Sequence, residues 1–119
     1  MADFDLVVRG NIVFADRILE NGFLAVRDGK VALVGSGPAP AARESQDFTG
    51  AWIVPGVVDG QVHTGSPGNE WLGRGSRGAA AGGVTVMVAM PYDAGAPVWT
   101  VERFARKVAS AAHDCHVDV

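Results

Sequence analysis

The chain has 119 residues, 48% hydrophobic, 19% charged and 8% aromatic, with a formal net charge of −3. That length suits one modest globular domain rather than two, and the apolar fraction excludes intrinsic disorder. No apolar run approaches the ~20 residues that span a bilayer, and the acidic balance argues against a nucleic-acid-binding face.

The N-terminus, Met1 to Asp5, holds two acids and no basic residue, so it is not expected to be a signal peptide. A single cysteine, Cys115, closes no intrachain disulfide, and a cytoplasmic setting is expected. Residues 1–54 read as short strands. Leu6-Val7-Val8, Asn11-Ile12-Val13-Phe14, Phe23-Leu24-Ala25-Val26 and Val31-Ala32-Leu33-Val34 are aliphatic or β-branched runs. Arg9-Gly10, Asn21-Gly22 and Asp28-Gly29 separate them as turn signals. Asp28-Gly29 suits a two-residue type I′ turn, which predicts a hairpin over 23–34. Residues 35–40 read as a loop, and 41–50 are polar with no clear signal.

After Pro55 the pattern changes. Residues 57–63 suit a buried strand, and 69–83 an alanine-rich helix stopped by Gly82-Gly83. Residues 84–90 (VTVMVAM) are apolar on both faces, as in a helix-covered parallel strand. A loop over 91–97 leads to a helix near 100–112, with Val101, Phe104, Ala105, Val108 and Ala112 forming one stripe. Residues 116–119 look like a third strand beginning. Alternating strands and helices imply a parallel sheet.

Asp59-Gly60-Gln61-Val62-His63 is the strongest chemical candidate. On a strand Asp59, Gln61 and His63 share a face, and three inward polar groups need something to satisfy them. A metal or substrate would do so at the carboxyl end of a parallel strand, and so would a plain hydrogen-bonded trio. Gly73-Arg74-Gly75-Ser76-Arg77-Gly78 matches G-x-G-x-x-G but does not directly follow a strand. It reads as a helical or flexible segment with exposed arginines, not a dinucleotide fingerprint. His113-Asp114-Cys115-His116 lacks zinc-site spacing and a second cluster, so it reads as a helix-to-strand connection. Trp52, Trp71 and Trp99 read as packing residues.

The run from Ala51 to His63 (AWIVPGVVDGQVH) resembles the first barrel strand of the amidohydrolase superfamily. The likeness is closest to the cyclic amidohydrolases: hydantoinases, dihydropyrimidinases, allantoinases and dihydroorotases. Residues 79–85 and Ala89-Met90-Pro91 resemble that group's first helix and second strand. Pro67-Gly68-Asn69-Glu70-Trp71 is similar to the stretch after the first metal motif in allantoinases.

The resemblance implies an α/β fold. An N-terminal β-sandwich segment over 1–54 would precede the first βα units of a (β/α)₈ barrel over 55–119, left incomplete. It implies hydrolysis of a cyclic amide or ureide C–N bond by the parent enzyme, which would be a homo-oligomer using a divalent metal, with zinc favoured. His63 would be a metal ligand, and Asp59 would steady the strand end by hydrogen bonding. Gln61 stands where the family has a histidine, as a weak ligand or a vestige of one. Gly65 stands where dihydroorotases carry an arginine, which argues against their substrate contact. A full barrel takes roughly 250 residues. The family's later lysine, histidines and aspartate would therefore lie beyond Val119, and the chain alone is expected to be inactive. The alternative is a non-catalytic dihydropyrimidinase-like assembly protein, which the change at Gln61 favours. A free-standing binding module is disfavoured, because unpaired parallel strands invite aggregation.

Overall fold

The structure is a computed structural model that describes residues 3–64, 71–93, 95 and 97–119. Although the length suits one domain, the chain divides into two compact units, 1–55 and 56–119.

The first unit is a four-stranded mixed sheet of β1 (Phe4–Val13), β2 (Ile18–Arg27), β3 (Lys30–Ser36) and β4 (Ala42–Ile53), in the order β3-β2-β1-β4. β1 pairs antiparallel with β2 and parallel with β4, and β2 pairs antiparallel with β3. The hairpin predicted over 23–34 is present. Arg27 pairs with Lys30, and Asp28 (φ 52°) and Gly29 (φ 71°) make the two-residue turn with both φ values positive.

The other two turn signals are corrected. Arg9-Gly10 and Asn21-Gly22 lie inside β1 and β2, where Gly10 pairs with Gly22 and the register shifts before Ile12. The first two aliphatic runs are thus parts of one strand, and the bulge's extra residue lies on its partner β2, where Glu20 and Asn21 stand opposite Asn11. Asn21 takes φ 50°, and its N–H donates to Asn11 Oδ1 at 3.0 Å. A Cβ on Gly10 would stand 2.8 Å from Ile53 Cδ1, so glycine serves a close approach here rather than a turn.

Val7, Phe23 and Ala25 form the buried core, with Phe4, Ala39 and Ala42 packed against it. By pairing and pleat, Leu6, Val8, Leu24, Val26 and Val34 share the opposite face and are only half-buried. β4 is the strand that carried no sequence signal. It lies at the sheet edge with mostly exposed polar residues, where alternation is not enforced by burial.

The second unit runs β5 (Val57–Val62), α1 (Leu72–Ala81), β6 (Val84–Ala89) and α2 (Val101–Asp114). β5 and β6 pair in parallel, as expected. Val86 also bridges Asp118 in parallel, so the chain's end begins a third strand on the far edge of β6. The α1 helix starts at Leu72, while positions 69 and 70 of the predicted helix lie outside the described residues. It ends as expected at a glycine: Gly83 has φ +84°, and its N–H donates to Ala80 O at 3.1 Å.

At the start of α2, Thr100 Oγ1 accepts the Arg103 N–H at 3.3 Å. Arg103 occupies the position a capping-box acid would take, and Glu102 supplies the negative charge one residue earlier. Hydrogen bonds from its own backbone N–H and from the Thr100 hydroxyl hold its carboxyl below the usual range, with Arg106 adding a smaller attraction. The apolar stripe of α2 is largely uncovered, with Val101, Phe104 and Val108 all exposed.

Candidate functional site at the carboxyl end of β5

Two irregularities shape β5. Val57 and Val58 pair with Val84 and Val86, leaving Thr85 extra on β6, and a Cβ on Gly56 would overlap the Thr85 side chain. Further along, Asp59 pairs with Met87 and Val62 with Ala89, so β5 carries an extra residue between them. Such a bulge re-aims the side chains that follow it.

Around this bulge the three candidate residues make a local chain of contacts. Asp59 Oδ1 accepts the backbone N–H of Gln61 at 3.1 Å. Gln61 Nε2 lies 3.3 Å from His63 Nε2. All three residues are exposed. Thr64, next in sequence, is buried, and its Oγ1 has no hydrogen-bond partner.

The donor set can be weighed against a divalent cation. A neutral imidazole suits zinc well, and an amide oxygen suits it poorly. Catalytic zinc takes three protein ligands, whereas this strand end offers one imidazole and one amide. No group of three or more His, Cys, Asp or Glu side chains comes together among the described residues. The described residues therefore do not make a complete metal site, and they hold at most part of one.

Elsewhere in this unit the polar clusters are structural. Gly73, Gly75 and Gly78 lie within α1, and Arg74 and Arg77 are exposed, as the sequence reading expects. Gly73 permits a close approach, because a Cβ there would stand 3.0 Å from Asp114 O. Ser76 is fully buried, donates to Gly73 O at 2.9 Å and accepts the His116 N–H at 3.1 Å. His113 Nδ1 lies 2.8 Å from Asp114 Oδ1, and Ser110 Oγ donates to Asp114 Oδ2 at 2.9 Å. Both His113 and Ser110 meet the carboxylate rather than each other, so no nucleophile–base pair exists here.

The tryptophans are corrected. Trp52, Trp71 and Trp99 are 65%, 78% and 77% exposed, so none is a packing residue within its unit. The Arg103 guanidinium lies 5.5 Å from the Trp99 ring centroid.

Sequence reasoning missed two features near the strand ends. Lys107 Nζ meets Asp93 Oδ1 at 2.6 Å and donates to Met90 O at 3.0 Å, tying the segment after β6 to α2. The signal was available, since Lys107 stands three residues after Phe104 on the apolar side of α2. Thr64 gave no signal, because one threonine after a strand is unremarkable in sequence.

The chain is 40% identical to an allantoinase of Rubrobacter xylanophilus over 121 residues, covering 99% of this chain and 26% of the relative. It is 35% identical to an allantoinase of Desulfitobacterium hafniense over 122 residues, covering 99% and 27%. The chain belongs to the cyclic amidohydrolases.

Among solved structures, L-hydantoinase (dihydropyrimidinase) from Arthrobacter aurescens superposes with a TM-score of 0.84 at 31% identity. That match covers 97% of this chain and 26% of the hydantoinase. A zinc-bound N-acyl-D-glutamate deacylase from Bordetella bronchiseptica gives a TM-score of 0.61 at 27% identity, over 79% of this chain and 20% of that one. No protein-family model matches the chain. The chain spans about a quarter of the length of the cyclic amidohydrolases it matches. No helix among the described residues is long and apolar enough to cross a membrane.

Proposed function

We propose that residues 1–119 are the N-terminal part of a metal-dependent hydrolase that opens a cyclic amide or ureide ring, with an allantoinase- or hydantoinase-like substrate. Residues 1–54 would contribute a β-sandwich segment, and 55–119 the first βα units of a (β/α)₈ barrel. The observation that carries this reading is the identity to allantoinases along essentially the whole chain, with an imidazole just after the carboxyl end of β5.

In this reading His63 is one donor to a divalent cation, zinc being the favoured metal, and the remaining donors come from chain beyond these residues. A cation held there would polarise the substrate carbonyl and acidify a water. Asp59, by accepting the Gln61 N–H, steadies the backbone from which His63 projects. The partners are a small cyclic amide or ureide substrate and further copies of the parent chain, in a cytoplasmic setting. Among the described residues of 1–119 too few donors come together for turnover.

A second reading is a non-catalytic member that keeps the fold for assembly. It is favoured by the Gln61–His63 contact, because a polar pair that satisfies itself needs no ligand. The test uses a complete polypeptide in which residues 1–119 continue to the length of the relatives. Allantoin, hydantoin and dihydrouracil are each assayed for the ring-opened ureido acid. Turnover of any of them supports the hydrolase. Failure with all three, in a folded and metal-supplemented protein, supports the assembly reading.

A further inference from the structure

We infer that Gln61 competes with a cation for Nε2 of His63 instead of serving as a ligand beside it. The inference rests on the reading above, in which His63 donates to a divalent metal. Its own observation is the 3.3 Å contact between Gln61 Nε2 and His63 Nε2. An imidazole binds a cation through a ring-nitrogen lone pair, and an amide N–H donating to Nε2 occupies that lone pair. With the amide turned the other way, its oxygen would accept from a protonated Nε2, which again leaves no lone pair there. In either orientation the side chain of Gln61 must leave Nε2 before a metal can take it.

The local backbone favours the contact. The Gln61 N–H is fixed by Asp59 Oδ1, and the extra residue of β5 falls between Asp59 and Val62. Both side chains are exposed, so solvent weakens the bond and keeps it exchangeable. Gln61 thereby acts on metal loading through His63, as a positioning residue.

A ligand and a competitor predict opposite signs. Deleting a ligand lowers metal affinity, whereas deleting a competitor raises it. A hydrogen bond of ordinary net strength corresponds to a roughly two- to tenfold change in affinity. The experiment titrates Zn²⁺ alone into the metal-free complete polypeptide, in which residues 1–119 continue to the length of the relatives, and follows the His63 ring by ¹H–¹⁵N NMR. Gln61→Ala, the length-matched Gln61→Met and His63→Ala are compared with the unaltered chain. The two-bond ¹H–¹⁵N pattern of His63 is also recorded without metal, to read which ring nitrogen carries the proton.

The expected result is that both Gln61 variants bind Zn²⁺ at His63 about two- to tenfold more tightly. Their metal-free imidazole should also show a shifted tautomer balance. Lower affinity in both variants would make Gln61 a ligand and overturn the inference while leaving the metal reading intact. Unchanged affinity with an unchanged tautomer would overturn it as well. If Zn²⁺ leaves the His63 ring unperturbed in every variant, the metal reading fails and takes the inference with it.

Discussion

Ser76 joins two segments through one hydroxyl, receiving the His116 N–H and donating to Gly73 O from a fully buried position. Ser76→Ala leaves the His116 N–H without that acceptor, at a cost of about 1–3 kcal/mol. Urea denaturation of the two chains checks this, and an unchanged midpoint would show that solvent replaces the hydroxyl. At the end of α2, hydrogen bonding to Asp114 raises the His113 pKa, and the hydrogen bond to His113, then that to Ser110, lowers the Asp114 pKa.

The signs give a window. The His113 contribution is complete below its ordinary value of 6.5 and is lost as pH rises through the raised value. The Asp114 contribution is present above its ordinary value of 3.8 and is lost as pH falls through the lowered value. The pair therefore stabilises most between those ordinary values, by a small amount, since both groups are exposed. NMR titration of His113 should show its raised pKa returning toward the ordinary value in Asp114→Asn.

At the scale of elements, sequence signals were legible where burial or backbone geometry enforced them. The hairpin turn needs positive φ at two residues, and Asp28-Gly29 supplies it. β6 pairs on both edges and reads as continuously apolar. The polar edge strand β4 left no periodicity to read, and the bulge residues of β1 and β2 imitated turns, because both use glycine and asparagine. Likewise the spacing of Asp59, Gln61 and His63 predicts a shared face on a regular strand, but it shows neither the extra residue between Asp59 and Val62 nor that the tips of Gln61 and His63 meet.

Two glycines should respond to alanine with opposite signs. Gly29, at φ +71° in open space, should cost about 1–2 kcal/mol as Gly29→Ala, since only the backbone opposes it. Gly78 lies in α1 with nothing within 4 Å of a built Cβ, so Gly78→Ala should stabilise by up to ~1 kcal/mol. Thermal unfolding of the two variants measures both, and equal signs would contradict these element assignments.

The whole molecule leaves much apolar surface uncovered. In the second unit Val101, Phe104 and Val108 lie along one side of α2, and an open groove of about 680 Å³ runs beside β6. In the first unit one sheet face of Leu6, Val8, Leu24, Val26 and Val34 is half-buried. The 119-residue chain should therefore bind a hydrophobic dye and self-associate. Analytical ultracentrifugation that finds a monodisperse, dye-silent monomer would contradict this.

The central claim is that His63 serves a metal-dependent ring-opening reaction in the longer polypeptide. Its most direct test measures bound metal and allantoin or hydantoin ring opening in that polypeptide, before and after His63→Ala. The account predicts that metal affinity and turnover fall together, by at least the 10–100-fold known for residues that merely support metal ligands. Turnover and metal content unchanged by His63→Ala would contradict it.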